Sequence, residues 1–279
     1  MAFVASEREN PTVPFATVGD LSMYHELHGD GPPVLHISGT GNDLRRSQPD
    51  RSPLNAHFAG LHYDQRGLGR TGRGDLGGRP PTMADFADDA AGLCQTLGWD
   101  RCHVVGTSFG GMVALHLALR HPGLVDRLVL NCTAPGGDHS SYPLHRLSGL
   151  GQDEAFEART GLMDVRYDPT AVEPIPGFGV GHDELRQLMG ARPEGEAAIG
   201  LAEQLEARRH HDTVARLGHI GSPTLVCAGR FDGIAPMANS KLLATRIPDA
   251  ELAVFNGGHP FMVQDPSAHP RMIRFLGGN

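Results

Sequence analysis

Lysine is almost absent from this 279-residue chain: Lys241 stands alone among 24 basic residues, and the rest are arginine. That bias marks a high-GC genome and assigns no function. No basic run or stripe is present, and a formal net charge of −8 with a sequence pI near 6.0 excludes the electropositive face that a nucleic-acid surface needs. No apolar stretch approaches the ~18 residues of a membrane span. Met1 to Asn10, which includes Glu7, Arg8 and Glu9, has no apolar segment of the kind a secretory signal carries. A soluble, cytoplasmic protein is the expectation. Cysteine is scarce as well: Cys94, Cys102, Cys132 and Cys227 include no C-x-x-C pair, and three of them lie in apolar strand-like runs. Core-filling reduced thiols are therefore expected, with neither a disulfide framework nor a zinc site. No internal repeat or low-complexity tract stands out.

What is present is a chain of 39% hydrophobic residues, long enough for one large α/β domain or for one such domain with an inserted subdomain. Strand-like runs at Phe15 to Val18, Met23 to Leu27, Val34 to Ser38, Phe58 to Tyr63, Cys102 to Thr107, Leu128 to Cys132, Thr224 to Ala228 and Leu252 to Phe255 alternate with helical periodicity at Met83 to Leu97, Gly110 to Arg120, Ala238 to Ile247 and Pro266 to Leu276. This alternation predicts a mostly parallel eight-stranded sheet with flanking helices. Between residues 134 and 219 the pattern changes to Gly and Pro punctuation, scattered aromatics (Tyr142, Phe156, Tyr167, Phe178) and charged helical pieces such as Asp153 to Met163 and Gly195 to Arg209. So long an insertion between core strands is expected to be a helical lid, with the core formed by residues 1–133 and 220–279.

One pentapeptide carries the chemistry. Gly106-Thr107-Ser108-Phe109-Gly110 follows the apolar run Cys102 to Val105 and precedes the apolar helical stretch from Gly111 to Leu119. A strand that reverses sharply into a helix with a serine at its apex needs small residues two positions to either side, which is what G-x-S-x-G supplies. A serine hydroxyl is a weak nucleophile and needs a base oriented by a third group. In this topology the chain order is serine, acid, histidine. Asp232, in the loop after the strand Thr224 to Ala228, is the candidate acid, although Asp232-Gly233 is also an ordinary turn pair. His259, in the Gly-flanked loop after Leu252 to Phe255, is the candidate base. For the oxyanion hole, the Phe109 amide at the helix start supplies one donor and the Thr40 amide in Ser38-Gly39-Thr40-Gly41 the second; a plain glycine turn would have the same composition.

Two polar clusters receive structural readings. Asp64 and Arg66, in the turn His62 to Thr71, are expected to belong to a buried ion pair or turn network that braces the active-site loops. Arg208, Arg209, His210, His211 and Asp212 read as a solvated helix end.

Taken together, Ser38-Gly39-Thr40-Gly41, Asp64 to Thr71, Gly106 to Gly111, His121 to Leu130, His211 to Pro236 and Gly257 to Pro260 make the chain similar, nearly end to end, to the α/β-hydrolase superfamily, in its branch of lid-bearing esterases, enol-lactonases and cofactor-free haloperoxidase-like proteins. It departs from many relatives in having Ser38 where they carry histidine before the loop glycine. Ser108 stands where dehalogenases and epoxide hydrolases of this fold have aspartate. The resemblance implies hydrolysis of a small carboxylic ester or lactone through an acyl-enzyme, with no metal or organic cofactor; the partner expected is that small molecule, with neither nucleic acid nor membrane. The same triad also serves carbon–carbon bond hydrolysis and perhydrolysis, and some members of the fold act mainly as small-molecule receptors. Function follows from the site and not the fold.

Overall fold

Valine, leucine and isoleucine run almost unbroken through Val34 to Ile37, Val104 to Val105, Leu128 to Leu130 and Leu225 to Val226, the pattern of strands covered on both faces. In the computed structural model, which describes residues 14–168, 170, 181–189 and 193–278, these segments form the centre of an eight-stranded sheet. Its strands are β1 (Phe15–Val18), β2 (Leu21–His28), β3 (Pro33–Ile37), β4 (Ala59–Tyr63), β5 (Cys102–Thr107), β6 (Val125–Asn131), β7 (Thr224–Gly229) and β8 (Ala250–Phe255). The spatial order is β1-β2-β4-β3-β5-β6-β7-β8. β2 is antiparallel to both neighbours, and every pairing from β4 through β8 is parallel. The eight expected strands are all present, with ends displaced by at most three residues.

Alternate positions along the strands divide the core in two. Leu35, Ile37, Val104, Leu128, Leu130 and Val226 face α1 (Met83–Thr96), α2 (Phe109–Arg120) and α6 (Met237–Arg246). Val34, Val105, Val129, Leu225 and Cys227 face α7 (Phe261–Gln264) and α8 (Ala268–Leu276). Helix α2 is buried without a break from Phe109 to Ala118, as a helix apolar on all sides must be. Each such Leu or Val contributes about 1.5–3 kcal/mol by leaving water, so the helix that starts at Ser108 is fixed in the core along its length. Helix α1 starts at a reciprocal cap, in which Thr82 Oγ1 accepts the Asp85 N–H while the Asp85 carboxylate accepts the Thr82 N–H. All four cysteines are buried and free.

Between β6 and β7 the described residues hold α3 (Gln152–Met163), α4 (His182–Met189) and α5 (Gly195–Arg209). Their only β pairing is a pair of isolated bridges at Gly136. Phe178, one of the aromatics noted in this segment, lies outside the described residues. No helix among the described residues is long and apolar enough to cross a membrane. The reading of residues 208–212 as a solvated helix end is half wrong. Arg209, His210 and Asp212 are exposed, but Arg208 and His211 are 7% and 2% exposed. The end of α5 packs against the loop after β3 and the segment after β6, so its inward-facing residues are enclosed.

Candidate active site

Ser108 has φ 56° and ψ −114°, a region that side-chain-bearing residues avoid and that persists only when the surroundings over-determine it. Here they do. The Ser108 N–H donates to Asn131 O at 2.8 Å, and its carbonyl accepts the Thr133 hydroxyl at 2.7 Å and the Gly111 N–H at 2.9 Å. The two flanking glycines are required by close approach. A Cβ on Gly106 would lie 2.5 Å from Gly110 O, and one on Gly110 would lie 2.0 Å from Ile37 O. The serine side chain is thereby presented at the C-terminal edge of β5, beyond the start of α2.

Two loops at the same edge deliver the partners. After β7, Asp232 Oδ1 accepts the N–H groups of Ile234 and Ala235, each at 2.8 Å, which fixes the carboxylate and leaves Oδ2 for His259 Nδ1 at 2.8 Å. After β8, His259 turns its Nε2 to Ser108 Oγ at 3.0 Å. The serine read from its pentapeptide and the acid and base read from strand position and chain order are thus joined in one hydrogen-bonded line. The Asp232 side chain is fully enclosed and that of His259 is 14% exposed. Burial works against charge on His259, but Cys132 and Asp232 outweigh it and raise the imidazole above its ordinary range. Cys132 follows β6 directly, has a positive φ of 42° and is 1% exposed. Its place beside His259 had no signal in the sequence.

The two segments that carry the oxyanion candidates meet at the serine. Phe109 opens α2, so its amide is one that no intrahelical carbonyl can reach. The loop after β3 passes close to Ser108, since a Cβ on Gly39 would lie 3.5 Å from Ser108 Cβ. Ser38, the departure from many relatives, is gripped by Gln65, whose Nε2 donates to Ser38 O at 2.9 Å and Ser38 Oγ at 3.1 Å. The expected network around the turn after β4 is present with a partner the sequence did not reveal. Asp64 accepts the Leu44 and Arg70 N–H groups, while Arg66 makes a two-pronged buried pair with Asp89 of α1 at 2.7 and 2.9 Å. No strand or turn pattern couples residues 23 positions apart on different elements, which is why Asp89 went unnoticed.

The insertion meets both halves of the site. The end of α3 bonds to the acid and base loops through the main chain: Gly233 N–H to Leu162 O at 2.9 Å, Val165 N–H to Phe231 O at 3.0 Å, and His259 N–H to Met163 O. Helix α5 meets the loop after β3 through side chains, with Gln204 Oε1 accepting the Gly41 N–H at 2.9 Å and Arg208 Nη1 donating to Thr40 Oγ1 at 3.2 Å. Burial lowers the Arg208 guanidinium to about 10, with the Asp232 charge acting in the opposite sense, so it is a cation at neutral pH. A cavity of about 310 Å³ opens between Thr40 and Gly41 on one side and Leu144, Leu147, Phe156, Leu201 and Leu205 of the insertion on the other, with Arg46 and Arg159 also on its wall. That volume and apolar lining suit a small organic ligand. Among the described residues, no cluster of three or more His, Cys, Asp or Glu side chains could hold a metal ion.

Gln204 and Arg208 were missed as site residues. A faint signal exists: Leu201, Gln204, Leu205 and Arg208 share one helical face, so two polar residues occupy positions where an inward face calls for apolar ones.

A family model described as alpha/beta hydrolase fold matches residues 33–160. The chain is 30% identical over 272 residues to a protein of Agrobacterium fabrum named "Putative carbamate hydrolase RutD", covering 91% of this chain and 98% of that one. It is 33% identical over 251 residues to the protein of the same name from Yersinia enterocolitica, covering 86% and 87%. Among solved structures, the enol-lactonase from Burkholderia xenovorans matches with a TM-score of 0.75 at 22% identity, over 95% of this chain and 100% of that one, a likeness of fold. The chain belongs to the α/β-hydrolase fold family.

Proposed function

We propose that this hydrolase cleaves a small carboxylic ester or lactone through an acyl-enzyme on Ser108. The observation that carries the reading is the unbroken line from Asp232 through His259 to a serine held in a strained turn, at 2.8 and 3.0 Å. As Ser108 Oγ bonds to the substrate carbonyl carbon, its proton passes to His259 Nε2 and the carbonyl pair moves onto oxygen. The Phe109 and Thr40 amides receive that oxyanion. The pair then returns, the carbon–oxygen bond to the leaving group breaks, and His259 gives the proton to the departing oxygen. Water repeats the sequence on the acyl-enzyme, with the same imidazole as base and then acid. Asp232 holds His259 in the tautomer and orientation that both halves need.

Residues 134–219 serve as the lid in this reading, and the apolar cavity under them receives the substrate's organic portion. A second substrate class is favoured by the names of the two relatives above: a carbamate presents the same carbonyl, made less electrophilic by the adjacent nitrogen, to the same serine. A panel of activated esters, lactones and carbamates, followed by rapid quench and mass measurement of the protein, tests the proposal. An adduct on Ser108 with a burst of product equal to the active sites is the expected result. No adduct and no repeated turnover on any member of the panel would overturn it.

A further inference from the structure

Helix α5 turns Gln204 and Arg208, four residues apart, toward consecutive residues of the loop after β3. Gln204 is 0% exposed and accepts the Gly41 N–H; Arg208 is 7% exposed and donates to Thr40 Oγ1. The second arm of Arg208 donates to Ser141 Oγ at 2.7 Å and Tyr142 O at 3.1 Å, across the segment that follows β6. Arg208 donates only to hydroxyl and carbonyl oxygens, with Asp232 acting on it through charge and not through a hydrogen bond, and Gln204 Nε2 is buried with no hydrogen-bond partner among the described residues. A buried cation with no carboxylate in direct contact stabilises a fold poorly, and a well-packed apolar pair would close the same interface at less cost in desolvation. These two side chains therefore call for a role other than holding the insertion down.

The geometry points to Gln204 and Arg208 as positioning residues for the oxyanion hole: together they pin Thr40 by its side chain and by the peptide that follows it. Donors of this kind work only if they already stand about 2.7–3.1 Å from where the oxyanion forms. The loop that carries the Thr40 N–H is held from within by the Asn42 N–H to Gly39 O bond and at its base by Gln65 on Ser38, but neither reaches the peptide after Thr40; Gln204 holds that peptide against drift. Arg208 adds a fork too rigid to follow such drift. The inference rests on the acyl-enzyme reading above.

The test uses the full chain with p-nitrophenyl butyrate and a phenyl trifluoromethyl ketone, which forms a hemiketal with the serine and places its own oxyanion in the hole. Active sites are counted by the burst of p-nitrophenol. For Gln204→Ala and Arg208→Met, kcat per active site is expected to fall roughly 10- to 100-fold, somewhat less than the loss of an oxyanion donor itself. Affinity for the ketone should weaken by the same factor, while KM and the melting temperature move little. Arg208→Lys, which keeps the charge and one donor, should recover part of the loss. A purely structural role would lower the burst amplitude and leave kcat per active site and ketone affinity within about threefold of the parent, and that result overturns the inference. Should either of the two variants fail to fold, Gln204→Glu and Arg208→Lys carry the test, because the first keeps an acceptor for Gly41 and opposes the oxyanion. Unchanged kcat per active site in both would be equally fatal. Failure of the underlying reading looks different: the unsubstituted enzyme itself would give no burst and no Ser108 adduct.

Discussion

The two sides of the site are held by the same insertion in different ways. On the acid–base side, α3 grips the loops of Asp232 and His259 through peptide groups, Leu162 O, Met163 O and the Val165 N–H. On the oxyanion side, α5 grips Thr40 and Gly41 through the side chains of Gln204 and Arg208. A main-chain bond survives almost any substitution at its residue, provided the backbone path is kept, whereas a side-chain bond disappears with one codon. On the proposed mechanism, the acid–base machinery is therefore buffered against sequence change in the insertion, and the oxyanion machinery is exposed to it. If the proposed roles hold, changes in α5 offer a route by which this insertion alters rate without touching the triad.

The largest effect that bears on this comparison removes the residue both sides serve. Ser108→Ala is expected to reduce kcat/KM for an activated ester by at least about four orders of magnitude, with the fold intact by melting temperature. A folded variant that keeps a tenth of the parent rate would end the mechanism. Next comes the acid–base side itself. Asp232→Asn should cost about 10⁴-fold in kcat, and it should also move the acid limb of the pH–rate profile. His259 must be neutral to act as base, and the parent imidazole is raised above its ordinary value with Asp232 among the causes. Removing the carboxylate lowers that value, so the limb moves to lower pH as the plateau drops. A limb that stayed in place would mean that Asp232 does not set the charge of His259.

Gln204→Ala and Arg208→Met, with the intermediate losses described above, mark the oxyanion side. Smaller still is the cavity wall. Phe156→Ala, which enlarges the apolar cavity, should shift preference toward bulkier acyl groups by about tenfold or less, the scale of one or two methylene contacts. Loss of rate in equal proportion across all acyl lengths would assign Phe156 to packing alone. The smallest effect is expected for Val165→Ala. Its N–H bonds to Phe231 O while the residue is 60% exposed, so kcat should stay within about threefold. A large loss there would erase the contrast between peptide-held and side-chain-held halves.

Much of this was legible in the residues themselves. Apolar runs marked the central strands β3, β5 and β7, because a strand buried on both faces leaves little room for polar residues. Ser108 was legible because two close backbone approaches, one to Gly110 O and one to Ile37 O of β3, exclude any side chain at Gly106 and Gly110, and the resulting pattern is written within five residues even though the second approach is long-range. Asp232 and His259 followed from strand order, since a parallel sheet delivers every loop after a strand to one edge. Gln204 and Arg208 were not legible as site residues, and Arg208 was misread as part of a solvated end.

Sequence by itself determined the local events: where the chain is extended, where it coils, and which serine stands at a sharp turn. These depend on neighbours within a few positions, through steric contact and periodic burial. Tertiary structure alone decided which distant groups meet. Arg66 found Asp89 and not Asp64, Cys132 came to lie beside His259, and α5 brought two polar side chains to the loop that holds Thr40. Such meetings are set by the packing of whole elements, whose relative placement sums many weak apolar contacts along the chain, and no short stretch of residues encodes that sum.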